Sequence, residues 1–119
     1  MTQNEIQTAL NDLIQLVEGG RALEAFDKYY HEDFVGQENQ SEARLGKVAN
    51  RKYEVDFLNN ITHIRTYKAT GTLVGSNVSA ITWELDLDYK EWGHMLMTEI
   101  NLQVWQEGQI IRESYHYNP

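Results

Sequence analysis

Glu99, Asn101, Gln103 and Trp105 stand two residues apart, and Glu113, Tyr115 and Tyr117 repeat that spacing downstream. In a strand such a period turns every one of these side chains to the same face. Four of them are polar, and a sheet face that only packed on helices would leave each of the four in need of a hydrogen-bond partner. An apolar cavity with a few convergent polar groups is the usual makeup of a small-molecule site. Glu99 and Glu113 would share it by holding a proton between them or by admitting a cation; a structural pairing with Arg65 or Gln103 is the alternative. Trp83, Trp105, Tyr115 and Tyr117 either stack on a planar apolar or aromatic ligand or form core. The chain has no cysteine, which removes thiolate ligands, disulfides and cysteine nucleophiles. His31, His63, His94 and His116 show neither His-x-His nor His-x₃-His spacing, so no metal site and no cofactor are expected. Glu84, Asp86 and Asp88 alternate on a single strand and read as a solvated face.

The elements that must position these groups fall into two halves. Ile6, Ala9, Leu10, Leu13, Ile14 and Val17 recur at helical steps, and Gly19-Gly20 ends that helix. Leu23, Phe26 and Tyr30 mark a second, shorter helix. His31-Glu32-Asp33 breaks it, and Phe34 to Glu38 reads as a short strand. A third helix runs from near Gly46 to Leu58. From Ile61 the period changes to two, giving strands Ile61 to Val74, Val78 to Tyr89, His94 to Trp105 and Gln109 to Tyr117. Turns at Gly75-Ser76-Asn77, Glu91-Trp92-Gly93 and Gln106-Glu107-Gly108 connect them. Pairing Lys90 with His94 and Trp105 with Gln109 puts Ile81, Trp83, Met95, Met97 and Ile111 on the face of the polar series. Leu96, Ile100, Leu102 and Val104 then form an apolar stripe on the opposite face, the mark of an interface. The order predicts an α+β fold, three helices covering one face of a curved, mainly antiparallel sheet.

Bulk composition narrows the partners. The 119 residues carry ten basic and eighteen acidic side chains, a net charge of −8, and 41% are hydrophobic. That is ordinary globular composition, and the negative field repels phosphate backbones, so nucleic acid is not an expected partner. No stretch is long and apolar enough to span a membrane, and Met1-Thr2-Gln3-Asn4-Glu5 opens no signal peptide, so a cytoplasmic location is expected.

Two segments resemble the SnoaL-like family of the nuclear transport factor 2-like (ketosteroid isomerase-like) superfamily. One is Phe26-Asp27-Lys28-Tyr29-Tyr30-His31-Glu32-Asp33-Phe34-Val35-Gly36-Gln37-Glu38-Asn39, leading to Gly46-Lys47-Val48-Ala49-Asn50. The other is the closing hairpin from Gln103 to Tyr117, a tryptophan, a glycine turn, then Ile110-Ile111-Arg112-Glu113 and aromatics. The resemblance implies a single domain over residues 1–119 with the cone-shaped, cystatin-like fold of that superfamily. It also implies a pocket in the cone and a homodimer formed through the convex face of Leu96, Ile100, Leu102 and Val104. Isomerase- or polyketide cyclase-type acid/base chemistry would follow, with Glu38 at the position of the proton-moving carboxylate and Asn101 at that of an oxyanion donor. Enclosed in an apolar cone, Glu38 would ionise less readily and serve as a base for a carbon acid; a strand-end glutamate in solvent or paired with lysine is the alternative. Glu113 with Gln103 would anchor the ligand. The oxyanion-hole tyrosine of the isomerases has no counterpart, since the first helix is apolar around Leu13. A non-catalytic ligand-binding or protein-interaction module is the competing expectation.

Overall fold

The computed structural model describes residues 1–118. Its elements run α1 (Gln3–Glu18), α2 (Ala22–Tyr29), β1 (Tyr30–Glu38), β2 (Arg44–Leu45), α3 (Lys47–Asn59), β3 (Ile61–Val74), β4 (Val78–Tyr89), β5 (Gly93–Gln106) and β6 (Gln109–His116). The strands form one sheet in the order β2-β1-β6-β5-β4-β3, antiparallel throughout except where β1 runs parallel to β6. Three helices thus pack on a mixed, mostly antiparallel six-stranded sheet, the architecture the sequence pattern predicts.

A capping box starts α1, with Thr2 Oγ1 accepting from the Glu5 amide and Glu5 accepting from the Thr2 amide. Ile6, Leu10, Leu13 and Leu16 make its buried stripe. They meet Phe26, Tyr30 and Phe34 from the α2–β1 turn and Ile81, Trp83, Leu85 and Leu87 from β4 in a continuous core. The helix α2 ends at Tyr29 and passes directly into β1, so Tyr30, expected on the helix, and His31-Glu32-Asp33, expected as the break after it, are the start of the strand. The two-residue β2 is too short to show a period and was not expected; it pairs Leu45 with Val35 and Arg44 with Gly36.

Both hairpins differ in detail from their predicted register. Tyr89 pairs with Gly93 and Asp88 with His94, so the loop is Lys90-Glu91-Trp92, with Gly93 at φ 70° as the first residue of β5. In the next hairpin Gln106 pairs with Gln109 across a two-residue turn, with Glu107 at φ 51° and Gly108 at φ 85°. Trp105 therefore faces Ile110, not Gln109. A bulge then shifts the pairing so that Val104 meets Arg112. These offsets preserve the odd–even faces everywhere except at the bulge, where Ile110 is fully buried and Ile111 is not. Placing Ile111 on the inner face is thus corrected to Ile110.

On that inner face the register lays rows across the sheet. Ile81, Asn101, Tyr115 and Glu38 align from β4 to β1, and Ser79, Gln103, Glu113 and Gly36 form the adjacent row. No helix among the described residues is long and apolar enough to cross a membrane.

Candidate active site in the cone

Between the inner sheet face, α1, α2 and α3 lies a cavity of about 200 Å³. Four carboxyl groups open onto it: Glu38, Glu99 and Glu113 from the sheet, and Glu54 from α3. Asn101, Trp83, Tyr115 and Tyr117 border it as well. Gln103 and Trp105 do not; both are buried beneath it.

Those two residues act on the site from behind. The Trp105 indole donates to Ser79 Oγ (2.8 Å), Ser79 donates to Gln103 Oε1 (2.7 Å), and Gln103 Nε2 donates to Glu113 (2.6 Å). Tyr30 and Tyr115 add hydroxyl donors to the same carboxyl at 2.5 and 2.8 Å. Burial pushes the Glu113 carboxyl up, while its three donors pull it back. Of the two partners weighed from sequence, Gln103 is therefore the one Glu113 has. Arg65 lies elsewhere, bound to Asp86 and Asp88 on the outer face. Those acids are thus ion-paired and exposed to solvent rather than free.

Glu38 does not sit in apolar surroundings, because Arg44 of β2 reaches it at 2.9 Å. The guanidinium also donates to Asn50 Oδ1 (3.2 Å) and lies 3.6 Å from the centre of the Tyr53 ring. Tyr117 donates to the other Glu38 oxygen at 3.4 Å. Glu38 shares the sheet row of Asn101 and Tyr115. Asn101 itself is held at both ends, its oxygen accepting from the Trp83 indole (3.2 Å) and its nitrogen donating to Glu99 (2.8 Å).

The group that faces the sheet from the far side is Glu54. Asn50, Tyr53, Glu54 and Phe57 lie at steps of three, one and three on α3, and all four border the cavity. That i, i+3, i+4, i+7 series was the signal available in the sequence, hidden because half of it is polar. Burial, then the neighbouring charges of Glu113 and Glu38, push the Glu54 carboxyl up to about 7. Burial and the carboxylates of Glu38, Glu113 and Glu54 push Glu99 up to about 8. Both groups therefore exchange protons near neutral pH, as a general acid or base must. Among the described residues no three His, Asp or Glu side chains are grouped closely enough to hold a metal ion.

Three helices packed on a mixed, mostly antiparallel six-stranded sheet, with a cavity between them, form the nuclear transport factor 2-like fold. The chain matches the SnoaL-like domain over residues 1–117 and belongs to that family. Its structure is similar to a proposed SnoaL-like polyketide cyclase from Mesorhizobium loti, at 24% identity and a TM-score of 0.85 over 98% of this chain and 100% of that one. A proposed isomerase from Bacillus subtilis superposes with a TM-score of 0.80 at 18% identity, covering 100% of this chain and 91% of the other. A nuclear transport factor 2-like protein of unknown function from Burkholderia xenovorans gives 0.76 at 16% identity, over 97% and 84%. No curated protein matches the chain. At these identities the solved structures establish the fold alone.

Proposed function

We propose that this protein binds an apolar or aromatic small molecule in the cone and moves a proton on it, in chemistry of the isomerase or cyclase type. One observation carries the reading: Glu54 and Glu99, both raised toward neutral pH, face one enclosed, aromatic-lined cavity. As a carboxylate, either takes a proton from a carbon acid and returns it at another atom of the same molecule. The second N–H of Asn101, the one not given to Glu99, is free to donate to the oxygen on which charge develops. Glu38 belongs to this site as the partner of Arg44 and Tyr117.

A binding module without catalysis is the second reading, and Leu13 favours it. Leu13 borders the cavity, on the helix where the isomerases carry their oxyanion-hole tyrosine. Carboxyl-carbon NMR of the selectively labelled protein separates the two. Glu54 and Glu99 are expected to titrate near 7 and 8. Midpoints at the ordinary glutamate value, unchanged by ligand, would leave only the binding module.

A further inference from the structure

We propose that the cone cavity recognises an organic cation, a protonated or quaternary amine carried on an apolar or aromatic body. The inference rests on the small-molecule reading above and names the ligand class for that site. Four carboxyl groups open onto the cavity, and Arg44 is the one basic side chain among the described residues that line it. Arg44 is already committed, at 2.9 Å from Glu38 and 3.2 Å from Asn50. Glu113 is committed too, to Tyr30, Tyr115 and Gln103. Glu99 has the amide of Asn101.

Glu54 is different. It is partly buried, it opens into the cavity, and among the described residues no side chain donates a hydrogen bond to it. The Arg44 charge acts on it without a contact and is outweighed by burial and by Glu113 and Glu38. A carboxyl that opens into a largely desolvated cavity beside other carboxylates is costly to ionise, and a donor with positive charge lowers that cost. Such a group must arrive with the ligand, because no other basic side chain borders the cavity. The walls suit its body. Tyr67, Trp83, Tyr89 and Trp92 present ring surface around the carboxyls, and an ammonium over an aromatic face gains further attraction. A small inorganic cation fits less well, since the carboxyls are not grouped as a metal site requires. A negatively charged molecule would meet three carboxyl groups not balanced by arginine. Burial first, and then the charges of Glu38 and Glu113, keep Glu54 and Glu99 high, and a bound ammonium offsets the second of these.

The test uses three probes of one shape and different charge: phenethylamine, phenethyl alcohol and phenylacetate, measured by isothermal titration calorimetry on the full chain at pH 8. The amine is expected to bind at least tenfold more tightly than the alcohol, and the acid more weakly than either. Glu54→Gln, with its melting profile checked for folding, is expected to remove most of the amine's advantage over the alcohol. Alcohol binding equal to amine binding would overturn the cation assignment and leave the small-molecule site standing. Failure of all three to bind would overturn both. Should Glu54→Gln not fold, the ranking of the three probes on the native protein still decides the matter.

Discussion

At the scale of single residues, the site is governed by how each carboxyl is compensated. Glu113 accepts three hydrogen bonds in a buried setting, so truncation strands Tyr30, Tyr115 and Gln103 together. Glu113→Ala is expected to lower stability by on the order of 3 kcal/mol in urea denaturation. A loss below the scatter of surface substitutions would show the network to be idle. Glu54 and Glu99 act in the opposite sense, because their pKa values rise from 4.5 to about 7 and about 8 on folding. Between those values the folded chain holds protons that the unfolded chain has released, so stability falls as pH rises from about 5 to about 8. The decline should total on the order of a few kcal/mol. Thermal midpoints are expected to be highest near the acid end of that range. In the Glu54→Gln, Glu99→Gln double variant the slope should flatten. A native profile level across the range would contradict the raised values.

Among the elements, the junction of β1, β2 and α3 decides where Arg44 and Glu54 stand. Gly36 is buried at this junction, where an added Cβ would press on Asn50 Oδ1, with Arg44 and the Phe34 ring each 3.3 Å away. Asn50 ties the three elements, its Nδ2 donating to the Arg44 and Gly46 carbonyls at 3.0 and 2.7 Å. Gly36→Ala is therefore expected to cost about 2 kcal/mol by overpacking. It should also loosen the Arg44–Glu38 pair, visible as a changed Glu38 carboxyl resonance. A stable variant with that resonance unmoved would mean that α3 docks without Asn50.

For the whole molecule, the question is what covers the outer face of the sheet. Leu96, Ile100 and Leu102 are 68%, 45% and 42% exposed, and Leu73 from β3 extends the patch at 74%. Val104 is half-buried beside them. We propose that a second copy of the chain packs here, as the sequence pattern suggested. Sedimentation equilibrium at micromolar concentration is expected to give a dimer, and Ile100→Glu with Leu102→Glu a monomer. A native monomer would refute the interface.

Alternation in β4, β5 and β6 carried a large part of this structure by itself. A period of two sorts Trp83, Glu99, Asn101, Glu113 and Tyr115 onto one face whatever the loop, and a register error of two residues leaves the faces unchanged. Helix-one packing was legible at Ile6, Leu10 and Leu13, while the last buried position is Leu16 and not the expected Val17. The partners of those side chains were not. Whether Glu38 stood in an apolar cone or beside a cation depended on Arg44, six residues away on a strand too short to have a period. Only the docking of α3 brings Glu54 to the cavity. Gln103 and Trp105 had the right parity for the cavity but are buried outside its lining, since alternation sets the face and not the depth. Local spacing thus determined which residues share a face. Only the tertiary fold decided which charges meet, because electrostatic compensation depends on distances between elements that no period along the chain encodes.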